Sequence, residues 1–378
     1  MKKIIILSLL SFLTKLGATH PLVSDSNAFA ISFYEQAENR DNRCFSPYSI
    51  FRALSSTYIG SGGKTKEQME KTLHLSCYAE QLPFFFNALQ NTLEQAGVKT
   101  SNTLWLKKET LLLPAYAAAL EEMGNTVETI DFSRKKSAVK QINSWIADQT
   151  NGNIQNLLSE GDITPATEML LTNTVFFEGA WAFPFNAEFT QKTTFYGKKD
   201  SFEVSMMHQI HDFSYHEDSL CQAVLLPIAN SSCSCFFILP KQSMEKLESS
   251  IQNLPIWIEH THRQLINLAL PKFDVRQTLK LKDVLSKMGM QDPFSPNADF
   301  SYILKEKNLH MEQVIHEAFF SIQEKGVKAG AATAITMAKT CAVMKKDPIS
   351  FIANRPFLFG IVDENSKVVL FLGKLSVP

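Results

Sequence analysis

The apolar pattern changes period once along this 378-residue chain, near Thr167, and that change limits the fold more than any single motif. Before it, apolar residues recur three and four apart, as one face of a helix requires. Ser26–Asn39 puts Phe29, Phe33 and Ala37 on one side, with Ser26 or Asn27 placed to cap. Ser46–Gly60 carries Pro47 at a first helical position. Further helical stretches cover Thr65–Leu75, Glu80–Gly97, Pro114–Gly124 and Lys136–Gly152, with a short strand over Ser101–Lys108. From Thr167 onward the alternation is period two. His208–Asp218, Cys221–Ile228, Cys233–Lys241, Leu265–Val275 and Glu312–Glu324 read as strands, and Arg355–Leu375 as a hairpin. Only Ser243–Leu254 and Leu279–Gly289 return to helix. Helices first and strands later predict an α+β fold, not a regular βαβ series.

No repeat or linker divides the chain. Its 45% hydrophobic content and 28 scattered phenylalanines suit one large core. A net charge of −1 argues against nucleic acid or an anionic membrane as the main partner. The first residues, MKKIIILSLLSFLTKLGATH, combine two lysines, a short apolar run and small residues. That is the layout of a signal peptide over residues 1–19, leaving one domain over 20–378 and predicting a secreted or extracytoplasmic location. The six cysteines, at 44, 77, 221, 233, 235 and 341, lack paired C-x-x-C spacing. Most are expected to be core thiols, and Cys341 an exposed one.

Enzyme chemistry finds no support. GSGGKT, Gly60–Thr65, lacks the first glycine of a phosphate loop, where Tyr58 stands, and follows a helix instead of a strand. His208 and His216 share a face of their strand while His211 points away, so the three do not converge on a metal. No nucleophile elbow, zinc-protease helix or dinucleotide loop is present, and no cofactor is expected.

Between the last long strand and the C-terminal hairpin lies EKGVKAGAATAITMAKTCAVMKKDP, Glu324–Pro348. Two dozen small residues without an apolar face are unusual for a packed domain. Val327, Ala329, Ala331 and Thr333 alternate with Lys328, Gly330, Ala332 and Ala334, so as a strand one side would be small and uncharged. A short alanine helix is the alternative, against which Gly326 and Gly330 count.

Five motifs in order, NRCFSPYSI (42–50), TNTVFFEGAW (172–181), LPKF (270–273), ADFS (298–301) and ANRPFLF (353–359), resemble the serpin family across nearly the whole chain. The resemblance implies three β-sheets, about nine helices and an exposed reactive-centre loop over about 325–348. It implies a metastable inhibitor whose loop, once cut, enters the central sheet and traps the protease as an acyl-enzyme. It makes Glu324, Lys325, Gly326, Val327, Lys328, Ala329, Gly330, Ala331, Ala332 and Thr333 the hinge. Ser46, Ser49, Asn173 and His316 become the polar cluster where the sheet opens, and Trp181, Lys272 and Glu324 the loop-entry region. The usual count puts the scissile bond at Thr340–Cys341, for an elastase- or subtilisin-like enzyme, with Lys339–Thr340 as the trypsin-like alternative. A serine protease is the expected partner, a cysteine protease staying open, and the inhibitor is expected to be a monomer. Val327, Lys328 and Gly330 depart from the inhibitory pattern and keep a non-inhibitory binder or chaperone as the second reading.

Overall fold

A computed structural model describes residues 21–38, 40–76, 79–95, 97–150, 152, 154–304, 309–327 and 347–378. Residues 1–20, Cys77, Cys341 and loop positions 328–346 lie outside them, so the expectations for a signal peptide, for Lys328–Thr333 and for the scissile bond fall there too.

Nine α-helices occur among the described residues: α1 (Pro21–Gln36), α2 (Pro47–Tyr58), α3 (Gly63–Thr72), α4 (Leu82–Gln95), α5 (Pro114–Glu122), α6 (Lys135–Gln149), α7 (Met244–Glu248), α8 (Leu254–Glu259) and α9 (Lys282–Lys287). Pro47 does open α2, and the Ser46 hydroxyl caps it by accepting the Ser49 N–H at 3.3 Å. Every residue of α2 is buried, so the helix runs through the core.

A seven-stranded sheet contains β3 (Thr126–Ile130), β2 (Val98–Lys107), β4 (Met169–Phe177), β12 (Met311–Gln323), β13 (Gly326–Val327) and β5 (Gly179–Ala180) in that order, with β11 (Phe273–Lys280) also paired to β12. A nine-stranded sheet runs β1 (Arg43–Phe45), β16 (Val369–Leu375), β15 (Phe357–Asp363), β9 (Cys233–Pro240), β8 (Cys221–Pro227), β7 (Ser201–Glu217), β10 (His262–Pro271) and β14 (Ile349–Ile352), with β6 (Gln191–Tyr196) on β7. Strand β7 joins two layers. Its first part pairs with β6 and most of its length with β10, while only its last residues pair with β8. Two of the three expected sheets thus share hydrogen bonds along this one long strand, and the seven-stranded sheet is the third. Cys44, Cys221, Cys233 and Cys235 are buried free thiols, as expected of core residues.

Two local expectations are corrected. Helix α1 starts at Pro21, so neither Ser26 nor Asn27 caps it. Asn27 instead gives its amide to Lys367 O and accepts the Val369 N–H, tying α1 to β16. Leu265–Val275 is two strands, not one: the chain leaves the nine-stranded sheet at Pro271 and enters the other at Phe273. Lys272 makes the crossing, its N–H bonded to Ser205 O.

Candidate functional site

The site is the seam between β4 and β12, and its two halves differ. In the lower half the strands are parallel and paired directly, from Met311 opposite Met169 up to Ala318 opposite Val175. In the upper half β13 lies between them, antiparallel to both sides. Val327 sits opposite Ile322 and Gly179, and Gly326 opposite Gln323 and Ala180. Gly326 has φ +155°, and a Cβ there would lie 2.1 Å from Gly179 O. Only glycine lets the chain turn back this close to β5. Val327 is buried in the main core beside Ile322, on the face the alternation assigned to it.

A clamp holds the chain where it reverses. The Glu324 carboxylate receives Lys272 Nζ at 2.9 Å and the Thr190 hydroxyl at 3.1 Å. Burial raises the Glu324 pKa, but hydrogen bonds, chiefly from Lys272, outweigh it and keep the group below the usual carboxylate range. Trp181 Nε1 donates to Gln323 O at 2.9 Å, Trp181 N to Lys325 O and Phe185 N to Glu324 O. Segment 181–185 therefore grips the main chain of three successive residues. Its Phe183 ring stacks on His211 at 3.8 Å, which accounts for one member of the histidine cluster as a packing group.

Below the hinge, the polar cluster assembles as the resemblance implied. Ser46 N–H donates to His316 Nε2 at 3.0 Å, so that nitrogen accepts and the ring proton sits on Nδ1. Nδ1 then donates to Asn173 Oδ1 at 2.5 Å. Asn173 Nδ2 turns to Ser49 O at 3.0 Å, Ser49 Oγ at 2.5 Å and the Asn102 side-chain oxygen. His316 is fully buried, and burial drives its pKa down to about 3, so the ring is neutral. His316 and Asn173 face each other directly across the seam. They form a hydrogen bond between the two strands of the seam.

All described members of the two expected clusters are brought together: Ser46, Ser49, Asn173 and His316 at mid-seam, and Trp181, Lys272 and Glu324 at its top. Sequence reasoning missed Asn102 and Thr190. Asn102 stands opposite Asn173 on β2, a pairing that becomes visible only with the strand register. Thr190 comes from a loop whose course no motif fixes.

A family model described as "Serpin (serine protease inhibitor)" matches residues 24–378. An uncharacterised serpin-like protein of Thermococcus kodakarensis is 34% identical, covering 96% of this chain and 87% of that protein. Leukocyte elastase inhibitor of Xenopus laevis is 35% identical, over 89% of this chain and 93% of its own. Among solved structures, a highly specific serpin of the insect Tenebrio molitor superposes with a TM-score of 0.86 at 28% identity, over 94% of this chain and 98% of the other.

Proposed function

Because this chain belongs to the serpin family, we propose that it is a suicide inhibitor that traps a serine protease by inserting its cleaved loop between β4 and β12. The observation that carries the reading is the short strand β13. Two residues of the hinge are already hydrogen-bonded in the orientation that an inserted strand must have, antiparallel to both neighbours. Relatives named as leukocyte elastase inhibitors support a serine protease as the target class.

Continuing the register of β13 gives the path. Ala329 would come opposite Phe320 and Phe177, and Ala331 opposite Ala318 and Val175, the first closed pair of the seam. Thr333 would come opposite His316 and Asn173, where its hydroxyl can take over hydrogen bonds broken as the strands separate. Each inward side chain to that point is small and uncharged, so entry needs little repacking.

In the trap, the protease serine oxygen adds to the carbonyl of Thr340 and the Thr340–Cys341 bond breaks. The Cys341 amine leaves with the hydroxyl proton, and an ester joins enzyme to inhibitor. Insertion then carries the enzyme off before water reaches that ester. Incubation with elastase-, subtilisin- and trypsin-like enzymes tests this. The expected result is an adduct that survives denaturing electrophoresis, with a released fragment beginning at Cys341. A fragment beginning at Thr340 moves the bond to Lys339–Thr340. Lys328 and Gly330 favour the second reading, a non-inhibitory binder. That reading predicts cleavage with no adduct and full protease activity. Export belongs to the proposal as well, and a mature N-terminus near residue 19 is its test.

A further inference from the structure

The segment between α6 and β4 crosses the outer face of the seven-stranded sheet and is fastened on both sides of the seam. On the β2–β4 side the fastening is α6. Trp145 Nε1 donates to Thr103 Oγ1 of β2 at 3.2 Å, and its ring meets Trp105 edge-on at 6.3 Å. Asn143 locks the segment to α6 through two bonds with Leu158, both 2.9 Å. The segment then buries Ile154, Leu157, Leu158 and Ile163 with Leu170 of β4 and Ile315 of β12 in one cluster. At its far end Asp162 forms an ion pair with Lys280, the last residue of β11. Lys280 stands opposite Ile315, on the β12 side. The carboxylate is rigid as well as paired, accepting Ser159 N at 2.8 Å and Ser159 Oγ at 2.7 Å.

Placing one strand between β4 and β12 displaces β12 and β11 from β4 by one strand spacing, about 4.8 Å. An ion pair at contact distance does not survive that shift while its carboxylate stays anchored to α6 and β2. We infer that the Asp162–Lys280 pair is a strut across the closed seam that sets the rate at which β4 and β12 part. The inference rests on the insertion reading above and deepens it by naming two positioning residues remote from the loop. Lys280 is largely solvent-exposed, its side chain keeping 59% of its accessibility. The Asp162 side chain keeps only 4%, but Ser159 still partners its carboxylate when Lys280 is removed, so the pair adds little to overall stability. Its effect is on timing.

The test nicks the loop with excess trypsin or elastase and follows conversion to a heat-resistant form, with Trp181 fluorescence as the time-resolved signal. The chains compared are the wild type, Lys280→Ala, Lys280→Arg, Asp162→Asn and the double variant Asp162→Asn with Lys280→Ala. Asparagine at 162 still accepts from Ser159, so the local turn is kept. Lys280→Ala and Asp162→Asn are each expected to convert about two- to fivefold faster, the size a partly exposed ion pair supports. The double variant should be no faster than either single, and Lys280→Arg, which keeps the ion pair, should stay near the wild-type rate. Melting temperatures before nicking should move by only a few degrees. Equal rates in wild type, Lys280→Ala and Asp162→Asn overturn the strut while leaving insertion intact. Acceleration of Lys280→Arg to the rate of Lys280→Ala also overturns it. A wild type that never converts overturns the insertion reading and this inference together.

Discussion

The two sheets bury their strands equally well but with different chemistry. In the nine-stranded sheet, β9, β15 and β16 are buried along their whole lengths and built around aromatic contacts. Phe359 of β15 reaches across to the other sheet, meeting Phe320 of β12 at 4.6 Å and Phe273 of β11 at 5.1 Å. The β4–β12 seam instead buries His316, Asn173, Thr172, Thr174 and Glu317. An apolar interface gains nothing until it is closed and loses everything when opened. Hydrogen-bonding groups can be handed from one partner to another. The core proposed to stay shut is apolar, whereas the place proposed to part sets the polar pairs His316–Asn173 and Glu317–Thr174 among its apolar ones.

Phe359→Ala should break the permanent core, costing about 3–5 kcal/mol. The loss should be the same in intact and loop-nicked protein, measured by chemical denaturation. A smaller loss after nicking would place this core in the moving part. Asn173→Ala leaves the His316 Nδ1 proton without its acceptor, at a cost of about 1–3 kcal/mol in the intact form. Here the loss should shrink after nicking, because Thr333 can replace the lost partner. Equal losses in both forms would erase the contrast between the sheets.

Acid separates the regions further. His316 is neutral in the fold, with its pKa lowered to about 3 from an ordinary value of 6.5. Its contribution is complete above about pH 6.5 and is lost as pH falls toward 3, because the unfolded chain takes up the proton first. Melting temperatures between pH 6.5 and 4 should therefore fall less steeply for His316→Gln than for wild type. Identical slopes would mean the ring is protonated in the fold. Gly326→Val should expel β13 through contact with Gly179 O, slowing protease trapping with little change in core stability. Lys272→Ala is the smallest change, about 0–1 kcal/mol, read as slightly earlier opening of the top of the seam.

Much of this was legible in the residues, but not evenly. The α+β class follows from the change of period at Thr167, and the burial of Val327 agrees with its place in the alternation. His316 and Asn173 were reachable only through the family resemblance, since Asn173 sits between two threonines and His316 beside Glu317, and nothing in the alternation singles either out. What stayed hidden depends on who is opposite whom. Asn102 acquires its role from strand register, and Asp162 with Lys280 from a segment crossing over two strands. Asn27 looked like a cap because its side chain suits one, and the tertiary partners Lys367 and Val369 claimed it instead. In the LPKF stretch Pro271 stood at the point where the chain changes sheets, but the alternation on either side of it reads as one continuous strand.

The melting temperature of the full chain before and after a single cut between Met337 and Lys346 tests the central claim most directly. Completing the strand that Gly326 and Val327 begin should raise it by more than about 10 °C, since a gain of several kcal/mol is spread over one cooperative unit. An unchanged or lowered melting temperature would show that the loop has no sheet to join, and insertion could not be what drives the trap.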